Sequence, residues 1–313
     1  MADVGKTAIQ IGEQLETVDK QRARAVEAQE LMSLFSDIKQ GSYAKLDNLQ
    51  FGSLEDIFNC AIIVKRLCAI CRGVDLPNIE AVREPMEKYS EELERNLLSQ
   101  FDSAYKKQDM AKMNHFAKTL LEFNGGLSCI QMYINQNDFF MQGLPELDYL
   151  DENAAAAWKA VNLVQTNPII PLCKSIDETI RKEWHVIAQV FPNRAVVMKK
   201  FIQRIFAQTI QIQLEAVLAK AESQSALSYL RVLYFSHKEI ARLVSEIHKF
   251  DENVIAKTTG EPILTNIVNR SFTDLFVSLI ENDRYLKTEK KCLADMFDAL
   301  VTTFNNYVVS LVA

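Results

Sequence analysis

Three residues near the start of the chain, Gly5, Lys6 and Thr7, are of the types that end a phosphate-binding loop. Such a loop reads G-x-x-x-x-G-K-[ST], because glycine amides surround the phosphates, the lysine reaches the outer ones and the hydroxyl holds magnesium. The motif also needs a buried strand before it, and only four residues precede Gly5 in this sequence. We therefore interpret the triplet as the head of a helix, with a P-loop nucleotide hydrolase as a remote alternative.

Two cysteine patterns could in principle bind a metal or attack a substrate. Cys68 and Cys71 form a C-x-x-C pair, but a zinc site needs four ligands and the nearest histidine is His115. Cys129 follows two glycines in "GGLSC", yet a cysteine nucleophile needs a base held beside it, and no histidine has such a signature. We predict that Cys68 and Cys71 are buried helix residues, and that the chain has no catalytic residue, no metal site and no cofactor.

One basic cluster, Lys199, Lys200 and Arg204, lies in a segment otherwise rich in Ile and Phe. This cluster is a candidate for contact with phosphate or lipid headgroups. The chain as a whole has a net charge of −6, so it has no global basic field that would attract nucleic acid. We predict no nucleic-acid partner.

The composition favours long helices in a reducing compartment. The 313 residues include only 9 Gly and 7 Pro, fewer breakers than turn-rich strand folds use, and the six cysteines are scattered among apolar neighbours. The N-terminus lacks the pattern of a signal peptide, and no apolar run approaches the roughly 18 residues of a membrane span. We expect a cytoplasmic protein without direct membrane insertion. The abrupt apolar end, "FNNYVVSLVA", suggests a fragment of a longer protein.

The first 40 residues carry a stripe of apolar or small side chains at alternating spacings of three and four. Its members are Ile11, Leu15, Val18, Ala25 and Met32, and Arg22 and Gln29 interrupt it. This spacing is typical of a coiled-coil seam, which must be buried against another helix. We predict that these five residues bind a partner helix. An ordinary helix packed on the chain's own core is the alternative.

Helix signals divide the segment that follows. The polar stretch 36–52 is predicted to be a hinge or linker, and Ser53 with Asp56 resembles a capping box that opens a buried helix ending near Gly73. Pro85 fits the first turn of the next helix, where its missing N–H costs nothing. Gly125 and Gly126 predict a tight turn between two amphipathic helices.

The second half of the chain reads as long helices, and we find no convincing strand anywhere. One helix is predicted to begin near Asp151, because a carboxylate favours an N-terminal position. The remaining predicted helices span about 171–191, 194–222, 224–249, 261–281 and 284–312, with breaks at Pro192, Ser223, Asp251 and 260–262. We divide the chain into the end of a coiled-coil helix (1–40), a first helical bundle (41–170) and a second (171–313).

Three stretches resemble one known family. They are "VGKTAIQIGEQLETVDKQRARAVEAQELM", "LERNLLSQFDSAYKKQDMAKMNHFAKTLLEFNGGLSCIQMYI" and "KKFIQRIFAQTIQIQLEAVL", and they are similar to the Sec-ten subunits of the exocyst, also called exocyst component five. The stretches occur in the family's order over most of the chain. The resemblance transfers no active-site residue.

The resemblance implies an all-α, elongated rod of stacked helical bundles, the CATCHR architecture of tethering complexes, preceded by a coiled N-terminal helix. It implies a non-enzymatic subunit that tethers secretory vesicles to the plasma membrane before fusion, at sites of polarised secretion. Its implied partners are other exocyst subunits, through the N-terminal coil, and small GTPases on vesicles. The alternatives are a recyclin-type F-box trafficking protein and another helical coat or solenoid.

Overall fold

The structure, a computed structural model, describes residues 2–73, 80–141, 167–280 and 283–312. These residues form helices and short connections, and none of them lies in a strand, which confirms the predicted all-α class. The chain divides into two compact units, residues 1–132 and 133–313. The division predicted near residues 40 and 170 stays a prediction, because residues 142–166 lie outside the described part.

The first unit is built around three long helices. Its helices are α1 (Ala2–Lys39), α2 (Ala44–Gln50), α3 (Leu54–Gly73), α4 (Glu80–Lys106), α5 (Met110–Asn124) and the start of α6 (Leu127–Gln136). Helices α3, α4 and α5 each pack against the other two, and α2 packs on α3. The apolar stripe of α4 supplies Leu93, Leu97 and Phe101 to this core, where they are fully buried. Three helices with facing apolar stripes therefore form the body of the unit.

Two predicted local motifs in this unit are confirmed. The Ser53 N–H donates to the Asp56 carboxylate at 2.8 Å, and the Asp56 N–H donates to the Ser53 hydroxyl oxygen at 3.3 Å, which is a capping box at the start of α3. Gly125 and Gly126 both have positive φ, +84° and +67°, at the turn between α5 and α6. A side chain at Gly126 would also crowd the Leu121 backbone, at 3.2 Å from its Cα.

Two predicted boundaries in this unit are wrong. The supposed hinge 36–52 contains α2, whose Leu46 is only 1 % exposed. Its polar composition concealed a short apolar face that packs on α3. Pro85 lies inside α4, five residues after Glu80, rather than in its first turn. Val82 and Met86, both buried, show that the apolar stripe of α4 begins before the proline.

The second unit is arranged around one central helix. Its helices are α7 (Asp138–Met141), α8 (Ile169–Val190), α9 (Arg194–Arg204), α10 (Gln211–Gln224), α11 (Ala226–Phe250), α12 (Ala256–Thr259), α13 (Thr265–Ile280) and α14 (Asp283–Val312). Helix α11 packs against α8, α10, α13 and α14. The helix predicted near Asp151 lies outside the described residues.

A π-helical segment, Ile205–Ile210, joins α9 to α10 into one continuous helix, where a single helix 194–222 was predicted. The buried residues of this helix recur at intervals of four, as pairs at 197/198, 201/202, 205/206, 209/210, 213/214 and 217/218. An α-helix has 3.6 residues per turn, so a strict period of four would rotate the stripe by about 40° at each repeat. A π-helix has more residues per turn and brings the stripe back toward the core.

The predicted break at Asp251 is wrong. The helix continues beyond α11 through a second π-helical segment, Asp251–Ile255, and ends at Gly260. The Asp251 side chain is fully buried and accepts hydrogen bonds from the N–H groups of Ile263, Leu264 and Thr265 at 2.8–3.0 Å. The polar residue that suggested a loop is therefore the group that holds the following loop and sets the start of α13 at Thr265.

Candidate assembly interface

The predicted coiled-coil seam lies on the solvent-exposed side of α1. Leu15 is 60 % exposed, Val18 is 57 % and Met32 is 70 %, and Ala25 is exposed as well. Ile11 lies on the same helix, but its side chain, like those of residues 1–10, is outside the described part. The four described seam residues are therefore available to a partner.

The opposite side of α1 binds the helix to its own unit. Leu34 and Ile38 are buried where the last turns of α1 pack on α3 and α4. Successive residues of an α-helix are rotated by about 100°, so Met32 and Leu34 lie about 160° apart around the axis. The seam and the packed face are different faces of one helix, and a partner on the seam leaves the packed face undisturbed.

Two ion pairs reinforce the packed end of α1. Lys45 of α2 contacts the Asp37 carboxylate at 2.7 Å, and Arg66 of α3 contacts Glu27. Both pairs are largely exposed, so each stabilises only weakly. They join α1 to α2 and to α3 on the packed side of α1.

The seam is narrow, and apart from Val26, which is half exposed, its edges are mostly polar. The positions beside it include Gln14, Asp19 and Gln21, which are exposed. A narrow apolar seam with polar flanks is the pattern of a pair of helices, whereas a wider apolar face is needed inside a bundle. The arrangement can therefore bind one further helix.

The Gly5-Lys6-Thr7 triplet lies within α1, which is helical from Ala2 onward. A phosphate-binding loop would instead leave a strand and wrap around its ligand. The interpretation of the triplet as the head of a helix is confirmed at the level of the backbone.

The cysteines with suggestive spacing are buried in the helix interfaces. Cys68 and Cys71 are buried free thiols on α3, as predicted, and burial raises the pKa of both. Burial raises the pKa of Cys129 to about 12, so its thiol stays protonated near neutral pH and is a poor nucleophile. Within the described ranges, no three His, Cys, Asp or Glu side chains come together as metal ligands.

The basic cluster of α9 is divided by its own contacts. Lys199 and Lys200 are exposed. Arg204 instead donates to Asn135, donates to Gln208 at 2.8 Å and lies over the Phe140 ring, 4.5 Å from its centroid. Contacts within the second unit therefore hold the Arg204 guanidinium in place, whereas Lys199 and Lys200 extend into solvent.

A second apolar surface, on α14, was missed by the sequence interpretation. The helix itself was predicted, at 284–312, but its exposed face was not. Leu293, Phe297, Leu300, Phe304 and Tyr307 follow the same alternating spacing of four and three as the seam of α1, and all five are exposed. This spacing was the available signal.

The comparisons with known proteins agree over nearly the whole chain. The family described as "Exocyst complex component Sec10-like, alpha-helical bundle" matches residues 59–310, and that described as "Exocyst complex component Sec10, N-terminal" matches residues 1–51. No solved structure gives a significant match.

The curated relatives share about a quarter of their aligned residues with this chain. Exocyst complex component SEC10 of Saccharomyces cerevisiae is 26 % identical over 98 % of this chain and 37 % of its own length. Exocyst complex component 5 is 25 % identical in both Drosophila melanogaster and Homo sapiens, over 90 % and 89 % of this chain and 34 % of each relative. This chain thus spans about a third of the length of these relatives. Because the helical-bundle family matches most of its residues, the chain belongs to the Sec10-like family of exocyst complex components.

Proposed function

We propose that this chain is a non-enzymatic, structural part of an exocyst complex, which tethers secretory vesicles to the plasma membrane before fusion. The single observation that carries the proposal is the exposed seam of α1, which faces away from the unit that α1 is packed on. The curated relatives are named as exocyst complex components, and a component of a complex needs surfaces for assembly.

The seam is the part of the first unit best suited to bind another subunit. Burying an apolar side chain the size of Leu, Val or Met stabilises by about 1.5–3 kcal/mol. Leu15, Val18 and Met32 are mostly exposed, so a helix laid along the seam gains several such contacts. The proposed partner is a helix of another exocyst subunit with its own heptad stripe. Small GTPases on vesicles are proposed partners on the family resemblance alone.

The absence of enzymatic activity is proposed from the chemistry of the described residues. The thiols with the most suggestive spacing are buried and protonated, and Arg204 is held by neighbouring side chains. The described helices include none long and apolar enough to cross a bilayer. We propose a cytoplasmic protein that reaches sites of polarised secretion through its partners.

The test is to place Leu15→Asp and Val18→Asp together in the full-length parent protein and to purify its complex. Charges in the seam must be desolvated when a partner helix packs, so we expect recovery of the other subunits to fall at least several-fold. The matched control is Thr17→Asp with Ala23→Asp, which adds the same charge to exposed positions on the other side of α1.

Quantitative mass spectrometry of the purified complex measures the result, and circular dichroism checks that the helix content is unchanged. Equal recovery of the other subunits with the seam variant and with the control would show that the seam is not an assembly surface.

A further inference from the structure

The seam of α1 contains two polar residues at positions that a coiled coil usually fills with apolar side chains. The seam positions form two series with a spacing of seven, one with Leu15, Arg22 and Gln29 and the other with Val18, Ala25 and Met32. At about 100° per residue, Arg22 lies only about 20° from Leu15 around the helix axis. Arg22 therefore lies within the seam rather than beside it, and a partner helix on the seam must cover it.

Arg22 has no ionic partner within the described part of the chain. Its side chain is exposed, and no described carboxylate forms an ion pair with it. By contrast, Lys20 of α1 contacts Glu16 at 2.5 Å, and Glu27 of α1 contacts Arg66 of α3. The guanidinium of Arg22 is thus available to a group on another helix.

A partner helix on the seam would remove much of the water around Arg22. Val18 lies four residues before Arg22 and Ala25 lies three residues after it, which is about one turn of the seam in each direction. A charge buried among such groups without a counter-charge is costly. A carboxylate in the same place forms charge-assisted hydrogen bonds with the guanidinium, and a low local dielectric strengthens them. The partner that fits this seam therefore carries a carboxylate opposite Arg22.

We propose that Arg22 selects the partner of the seam by pairing with an Asp or Glu on a helix of another exocyst subunit. This inference rests on the proposed function of the seam and adds the charge that the partner must carry. A helix with an apolar or basic residue at that position would leave the guanidinium unpaired or repelled, so it would bind more weakly. A single polar core position fixes register and partner choice in coiled coils in this way, at a cost in stability.

The same residue disfavours a second copy of this chain as the partner. In a parallel pair of identical helices, equivalent core positions face each other, so the two Arg22 guanidinium groups would meet within the seam. Like charges that meet at an interface repel each other. Gln29, seven residues later, would add a further polar contact to each helix. The charge of the seam thus favours a different helix with a complementary residue.

The first test replaces Arg22 in the full-length parent protein and measures recovery of the other subunits by quantitative mass spectrometry. Arg22→Met keeps an unbranched apolar side chain but leaves the partner's carboxylate without a counter-charge, so we expect recovery to fall by about ten-fold or more. Arg22→Glu brings two carboxylates together and is expected to lower it further. Undiminished recovery with Arg22→Met would mean that the arginine only extends along the edge of the seam into solvent, and it overturns the proposal.

The matched controls are Arg24→Met and Arg24→Glu. Arg24 is also an exposed arginine of α1, and it lies about 160° from Arg22 around the helix axis. We expect both controls to keep recovery within about two-fold of the wild type, because surface substitutions away from an interface have small effects. Circular dichroism checks that the helix content is unchanged in all four variants.

The second test identifies the carboxylate. Arg22→Lys keeps the positive charge and places a primary amine in the seam, and a carbodiimide joins an amine to a carboxylate in direct contact through an amide bond. We expect this variant to cross-link α1 to an Asp or Glu on a helix of another exocyst subunit. Exchanging that residue for Arg should restore recovery with the Arg22→Glu variant. A cross-link to a second copy or to another segment of the parent protein, or a failure of the exchange to restore recovery, overturns the proposal.

The seam variant Leu15→Asp with Val18→Asp separates this inference from the proposed function. If that variant lowers recovery of the other subunits and Arg22→Met does not, the seam is an assembly surface that Arg22 does not control, and this inference alone fails. If neither variant lowers recovery, the proposed function fails as well. Loss of the same subunits with both variants supports both.

Discussion

At the scale of single residues, two buried or capping side chains decide where helices begin. Asp251 accepts three backbone N–H groups from the loop before α13, and its Oδ2 also accepts the Thr265 hydroxyl at 3.1 Å. A polar residue in this sequence thus organises its neighbourhood from the interior. A polar residue between two apolar segments predicts a loop, because the sequence pattern does not show which groups its side chain binds.

We predict that Asp251→Ala lowers the free energy of unfolding by about 3 kcal/mol or more, because it leaves several buried N–H groups without acceptors. Asp251→Asn keeps one acceptor oxygen and is expected to cost less. Chemical denaturation followed by circular dichroism measures both. Glu252→Ala, at the exposed neighbouring position, is the control and is expected to change the free energy by less than about 0.5 kcal/mol. Equal values for Asp251→Ala and the control would contradict the role of Asp251.

The capping box predicts a pH dependence with a definite sign. The Ser53 hydroxyl and N–H both donate to Asp56 and hold the pKa of its carboxyl below the usual value of 3.8. A depressed pKa in the folded state contributes stability above the usual pKa, and this contribution is lost as the pH falls through the folded pKa. Ser53→Ala removes the hydroxyl, so it should raise the pKa of Asp56.

NMR titration of the Asp56 carboxyl measures this change, and urea unfolding at neutral and acid pH measures its effect on stability. The cost of Ser53→Ala should be largest at neutral pH and smaller at about pH 2. Ser103→Ala, which removes another exposed helical hydroxyl, is the control. A pKa for Asp56 that is the same in both variants would show that the hydroxyl does not stabilise the carboxylate.

At the scale of elements, the π-helical segment between α9 and α10 shows what a sequence period can and cannot reveal. The helix was predictable from its apolar residues. The π-helical segment was not predicted, because apolar spacing is usually compared with the 3.6 residues per turn of a regular α-helix. A strict interval of four over more than twenty residues cannot stay on one face of a regular α-helix, and this mismatch was present in the sequence.

We predict that deleting Ala207, an exposed residue of the π-helical segment, preserves the fold. The deletion lets the helix become regular while the buried residues after it keep their direction. Deleting Glu215, which is equally exposed but lies in the regular helix α10, rotates the following residues by about 100° and turns Val217 and Leu218 out of the core. Thermal unfolding compares the two deletions.

We expect the Ala207 deletion to keep the melting temperature within a few degrees of the wild type, and the Glu215 deletion to lower it by at least 10 °C or to prevent folding. A larger loss of melting temperature for the Ala207 deletion than for the Glu215 deletion would contradict the idea that the π-helical segment serves to keep the buried residues in register.

At the scale of the whole molecule, the fold class and most helices followed from the sequence, because apolar spacing and glycine or proline breaks are local signals. The ends of helices were less predictable, since α2 depends on its packing against α3 and the loop before α13 depends on hydrogen bonds to the Asp251 side chain, neither of which an apolar spacing pattern reveals. Of the candidate interfaces, the seam of α1 was identified from its residues. The exposure of α14 could not be inferred, because a spacing pattern shows that a face must be covered and gives no sign of what covers it.

The one-sided packing of α1 has a mechanical consequence. The helix is 38 residues long, about 57 Å, and among its described side chains those of the last turns are the ones buried against the first unit. Leu34 and Ile38, which are buried on the bound side, hold α1 in one rotation about its axis. A partner helix bound to the exposed side would therefore be attached to a rigid helix of fixed orientation. A force on that partner would act on the first unit as a torque, whereas a flexible linker would absorb it.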